Sequence, residues 1–156
     1  MEDLSLHILD IVENSIKAKA TKIIIRVVED IKRDLLTIEI KDNGKGIEEE
    51  NLNKVFDPFY TTRTTRKVGL GLPLLAQAAK EGGGGIKIES NAGKGTKVKA
   101  TFQYSHIDRR PLGDMEKTLT TLLVGNPGVH FIYEHQIGNR KFKLDTKQLM
   151  QLEFGT

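Results

Sequence analysis

Residues 35–46 read LLTIEIKDNGKG. Leu36, Ile38 and Ile40 alternate with polar residues, which predicts a strand with one buried face. The run ends on Asp42 and then the turn formers Asn43, Gly44 and Gly46. A carboxylate at a strand end beside glycines can accept a hydrogen bond from a ligand amine, because the missing side chains let the ligand approach the backbone. Asp-Asn-Gly is also a common turn, in which the Asp side chain bonds its own backbone.

Upstream of that strand, KIIIRVVE from Lys22 is short and rich in β-branched residues, as a buried strand should be. The two runs are expected to pair as a hairpin through EDIKRD. Farther upstream, Leu4, Ile8, Ile11, Val12 and Ile16 form one apolar stripe and predict a helix from about Leu4 to Ala20. Asp10 and Asn14, four residues apart, share a face of that helix beside the stripe. An Asn amide oxygen suits Mg²⁺, which keeps several waters and takes few protein ligands when phosphates supply the rest. A carboxylate one turn away could orient or deprotonate a water or hydroxyl. Polar residues on an ordinary solvated helix face would have the same spacing.

Downstream, Leu52, Val55 and Phe56 predict a short helix, and residues 57–68, rich in Thr and Arg, read as a connector. Gly69 and Gly71 then open GLPLLAQAAKE, a helix whose first N–H groups and positive dipole end would suit phosphate. Arg63, Arg66 and Lys67 lie close before it and could add cationic donors. The glycine run at 82–85 stops this helix. IKIES, the turn NAGKG and TKVKATFQY follow, with Val98, Ala100, Phe102 and Tyr104 on one face of a half-buried strand that Gly95 and Thr96 open. The texture changes at about Ser105. MEKTLTTLLV predicts a helix and VHFIYEHQIGNRKFKLD a hairpin turning at Gly138-Asn139, together read as a C-terminal appendage over 105–156 packed on the first domain, 1–104.

The bulk composition limits the function classes. At 156 residues and 38% apolar, the chain can bury one core. Lys plus Arg exceeds Asp plus Glu by 24 − 21 = 3, and the charges are dispersed, so no nucleic-acid partner is expected. There is no cysteine, which excludes disulfides, thiolate metal sites and cysteine nucleophiles. The acidic start and the lack of any apolar run of membrane length give the expectation of a cytoplasmic protein with no membrane partner.

The separate features occur in one order: Asp10-xxx-Asn14 on a helix, Asp42-x-Gly44-x-Gly46 after a strand, Phe56-Asp57-Pro58-Phe59 before a loop, Gly69-Leu70-Gly71 opening a helix, and Gly95-Thr96 before a strand. This order resembles the GHKL ATPase superfamily from about Leu4 to Tyr104. VFDPFYTTR, VGLGLPL and NAGKGTKVKATF look like the catalytic domain of a sensor histidine kinase, while IVENSIKAKATKIIIRV is similar to mismatch-repair ATPases. The resemblance implies an α+β fold: a two-layer sandwich with helices on one face of a mixed, mostly antiparallel sheet, and ATP and Mg²⁺ as cofactors. It implies Asn14 as Mg²⁺ ligand, Asp42 as acceptor of the adenine amine, and Gly44 and Gly46 as the adenine floor. Residues 57–68 would be a lid with Arg63 facing phosphate. Gly69, Leu70 and Gly71 would offer N–H groups to phosphate, and Thr96 would lie near the adenine.

Two positions depart from the family pattern. Catalytic members with a base usually carry Glu where this chain has Asp10, one methylene shorter, so slow hydrolysis is expected at most. Kinases of this type normally carry the phosphoacceptor histidine on a separate helical hairpin, and none of His7, His106, His130 or His135 has the flanking acid and proline of such a box. The expectation is therefore a stand-alone ATP·Mg²⁺ domain of histidine-kinase type that phosphorylates or regulates a partner protein in trans. An anti-sigma-type serine kinase, with Asp10 as base, and a non-catalytic ATP-responsive binding module remain the alternatives. A gated DNA-processing ATPase is disfavoured, because no downstream lysine-donating domain is evident.

Overall fold

The structure, a computed structural model, describes residues 3–46 and 71–147. Among them the elements run α1 (Leu4–Lys17), β1 (Lys22–Asp30), β2 (Leu35–Asp42), α2 (Gly71–Glu81), β3 (Gly85–Asn91), β4 (Gly95–Gln103), α3 (Met115–Gly125), β5 (His130–Ile137) and β6 (Arg140–Asp145). The short helix expected around Leu52, Val55 and Phe56, the lid at 57–68, and Arg63, Gly69 and Leu70 lie outside the described residues.

One six-stranded sheet has the order β3-β4-β2-β1-β5-β6. Every neighbouring pair is antiparallel except β1 with β5, which is parallel. The period-two patterns place Ile23, Ile25 and Val27, Leu36, Ile38 and Ile40, and Val98, Ala100 and Phe102 on one buried face. The other face carries Arg26, Glu39, Lys41 and Lys99 and is polar. A sheet with one apolar face has to be covered on that side only. Leu4, Ile8, Ile11 and Val12 from α1, Leu75, Ala78 and Ala79 from α2, and Leu119 and Leu122 from α3 cover it. This is the expected two-layer arrangement.

Two details shape the site. The α1 helix stops at Lys17, three residues before the expected Ala20, because Lys19 takes a left-handed φ of 68°. The N–H groups of Ala18, Lys19 and Ala20 then bond back to Asn14, Ile16 and Ser15 carbonyls, and the chain turns directly into β1. At its other end, α1 has no side-chain cap. Its first N–H groups, on Leu4 and Ser5, donate instead to the carbonyls of Pro111 and Leu112, so the segment after β4 ties down the start of the helix. The hairpin read from 129–145 is present and turns at Gly138-Asn139, and its first strand lies beside β1 within the central sheet.

Candidate functional site

The C-terminal end of β2 and the start of β4 meet α1 at one end of the sandwich. Register pairs Asp42 with Thr96 and Ile40 with Val98, so two residues 54 positions apart (96 − 42) sit opposite each other on neighbouring strands. A cavity of about 100 Å³ opens there, and its lining includes Asn14, Ser15, Asp42, Gly46 and Thr96. Ile11, Ile40, Leu72 and Val98 supply its apolar walls. An apolar slot with a few convergent polar groups has the character of a small-molecule site.

Asp42 is held on both oxygens. Ser15 Oγ donates to Oδ2 at 2.6 Å, and the Gly44 N–H donates to Oδ1 at 2.8 Å. The second bond is the local Asx turn that the Asp-Asn-Gly sequence suggests, and the first comes from a helix 27 residues away in sequence (42 − 15). Each carboxylate oxygen has two lone pairs, so both keep an acceptor position. Asn43, the next residue, accepts from the Thr21 and Lys22 N–H groups at 2.8 and 3.0 Å, which locks the turn to the start of β1. The Lys45 N–H donates to Ala18 O at 2.9 Å, joining the same turn to the end of α1. Thr96 Oγ1 shares a 2.8 Å hydrogen bond with Ser90 Oγ across the β3–β4 hairpin.

Glycine is required at two of these positions. Gly46 has φ +75°, and a Cβ there would lie 2.1 Å from the Asn91 carbonyl oxygen. At Gly95, φ is +112° and a Cβ would lie 2.1 Å from the Asp42 carbonyl oxygen. Both conformations are ones that side chains rarely adopt, and both contacts are with backbone, which cannot swing away.

Asp10 stands one turn before Asn14 on α1, half-buried, and is not part of the cavity lining. It meets the start of α2: a Cβ on Gly71 would fall 2.9 Å from the Asp10 Cβ and 3.2 Å from Ile11 Cγ1. Gly71 and Leu72 thus bring α2 against α1 beside the cavity. His7 is buried on α1 at 1% exposure, and His130 and His135 are engaged with Asp145 and Glu29. No cluster of three or more His, Cys, Asp or Glu groups that could hold a metal occurs among the described residues.

Ser15 was not anticipated from the sequence. It falls four residues after Ile11, on the apolar stripe, and a hydroxyl on a core stripe needs a partner; that requirement was the available signal. The apolar lining could not be singled out, because Ile40, Leu72 and Val98 have the same spacing as their fully internal neighbours.

Residues 2–106 match the family described as histidine kinase-, DNA gyrase B-, and HSP90-like ATPase. Similar curated proteins include sporulation kinase C of Bacillus subtilis (strain 168), 35% identical over 88 residues that make up 56% of this chain and 20% of that protein. The signal transduction histidine-protein kinase ArlS of Staphylococcus aureus (strain USA300) is 36% identical over 96 residues, 58% of this chain and 21% of that protein. The match therefore spans about a fifth of these relatives' length. Among solved structures, the Aquifex aeolicus MutL ATPase domain complexed with ADP superposes with TM-score 0.54 at 23% identity, covering 99% of this chain and 69% of that one. The N-terminal domain of a DNA repair protein gives TM-score 0.62 at 16% identity, covering 99% and 57%. At such identities the two structures speak for the fold alone.

Proposed function

The chain belongs to the histidine kinase-, DNA gyrase B-, and HSP90-like ATPase family, and from that premise we propose that it binds ATP with Mg²⁺ and passes the γ-phosphoryl group to a partner protein. The observation that carries this reading is the convergence of Asn14, Asp42, Gly46 and Thr96, from separate stretches of the chain, on one apolar-walled cavity. Asp42 is the adenine reader. A carboxylate only accepts hydrogen bonds, so it selects an exocyclic amine over a carbonyl, and Ser15 and Gly44 hold it in position. The walls of Ile11, Ile40, Leu72 and Val98 take the flat faces of the base.

Asn14 is the candidate metal ligand. Its neutral amide oxygen in the cavity lining fits a cation whose remaining ligands are waters and phosphate oxygens. When bound, Mg²⁺ would neutralise phosphate charge. The start of α2 and residues 63, 69 and 70 are the proposed phosphate side, with backbone N–H groups and Arg63 as donors. Asp10, beside the junction of α1 and α2, is the proposed general base for an acceptor hydroxyl or water.

Incubating the full chain with γ-labelled ATP, Mg²⁺ and proteins encoded near its gene tests the transfer. Label on a partner is expected, and its absence from every candidate sinks the transfer step. Acid-labile label indicates a histidine or aspartate acceptor, and acid-stable label a serine. Transfer unchanged in Asp10→Ala removes Asp10 as base.

A further inference from the structure

The β6 strand ends the sheet and pairs with β5 along one edge only. Among the described residues no other backbone hydrogen bond involves positions 140–145. Such a row of N–H and C=O groups is a template for another strand. Register sets Phe142 opposite His135 and Leu144 opposite Tyr133, so these two side chains lie on the helix-covered side and Lys141 and Lys143 on the other. On the helix side, α3 and the β5–β6 hairpin enclose a groove of about 440 Å³ whose walls include Met115, Leu119, Tyr133, Phe142 and Leu144. Phe142 beside it is 58% exposed. On the opposite side Lys141 and Lys143 are exposed and form no ion pair among the described residues.

We propose that β6 is the docking edge for an extended acidic segment of a partner protein, which adds as a further strand. Its apolar side chains enter the groove beside Phe142, and its carboxylates alternate with them to face Lys141 and Lys143. Charge complementarity selects this occupant. A second copy pairing antiparallel through its own β6 about Phe142 would set Lys141 against Lys143 twice, and about Lys143 would set that lysine against itself, and like charges across strands destabilise a sheet. Edge lysines also guard against indiscriminate pairing, but that task does not require an exposed Phe142 beside a groove. The surface is separate from the proposed nucleotide site, because β5 and β1 lie between β6 and β2.

A fluorescent synthetic peptide of alternating glutamate and valine, titrated with the full chain and followed by anisotropy, tests the assignment against a lysine–valine counterpart. Saturable binding of the glutamate peptide alone is expected, with slowed amide hydrogen exchange over 140–145. The double variant Lys141→Glu, Lys143→Glu should weaken it by about tenfold, the scale of cross-strand charge pairs turned repulsive. Phe142→Ser should weaken it independently. ATP binding should be unchanged in both variants, so a failed nucleotide site and a failed docking edge give different results. No binding, equal binding of both peptides, unchanged binding in the variants, or exchange protection elsewhere would overturn the proposal.

Discussion

Both oxygens of Asp42 are engaged by the protein itself, one by a helix and one by its own turn. This separates orientation from recognition. The prediction is that Asp42→Asn weakens ATP binding by about 1 to 3 kcal/mol, the range for losing a hydrogen bond to a charged group with a buried partner left unpaired. Isothermal titration with Mg·ATP reads this directly, and wild-type affinity in the variant refutes the adenine role. A different single residue governs the opposite end of the sheet. Asp34, at φ 55° in the β1–β2 turn, accepts from the Ser105 N–H and hydroxyl and from Gln103 Nε2. These bonds, those of the Ser105 and Gln103 side chains first, lower its pKa below 3.8. A carboxyl with a depressed folded-state pKa adds stability above its unfolded value, and that contribution is lost as pH falls through the folded one. Urea midpoints should therefore fall more steeply below about pH 4 for the wild type than for Asp34→Asn. Parallel profiles would contradict this.

At the scale of elements, α1 does two things with two faces. Its stripe of Leu4, Ile8, Ile11 and Val12 is core, and Asn14 and Ser15 at its last turn face the cavity. The apolar stripe and the place of Asn14 beside it were readable from spacing, because a 3.6-residue period assigns side chains to sides without any tertiary information, whereas Ser15, on the stripe itself, was not singled out. The end of the helix was not readable. Lys19 adopts the left-handed conformation that glycine usually fills, and nothing in its letter announces it. Lys19→Gly should raise stability by about 0.5 to 1 kcal/mol by removing that strain, partly offset by the greater freedom of glycine in the unfolded chain. Denaturant titration checks it. A clear loss of stability would show that the lysine side chain supports the turn. The β strands were legible for the same reason as the helix, through alternation of Leu36, Ile38 and Ile40 and of Val98, Ala100 and Phe102.

Across the whole molecule, the parallel pairing of β5 with β1 decides how the chain closes. Phe131 and Tyr133 from β5 are buried in the same core as α1 and β1, and burial pushes the Tyr133 hydroxyl up to about 12, with the charge of Glu29 as a smaller cause. The change of texture at Ser105 suggested an appendage because a parallel partner is separated in sequence by helices and loops, and no local pattern names it. Phe131→Ala should cost about 3 to 5 kcal/mol, as for other buried aromatics. If residues 105–147 and the preceding elements unfold together, that loss should shift one transition monitored by circular dichroism and by nucleotide binding alike. Two separated transitions would mean the C-terminal segment unfolds as its own unit.

What the amino-acid sequence determined was the kind of every described element but β3 and the order of the polar residues that resemble a nucleotide site, because helix and strand periods and the Asp-Asn-Gly turn act over a few neighbouring residues. Only the tertiary structure decided that Ser15 holds Asp42, that Thr96 lies across from it, and that β5 enters the sheet beside β1. Those meetings depend on which apolar faces bury one another, and burial is non-directional and joins residues far apart in the chain, so no window of sequence contains the answer.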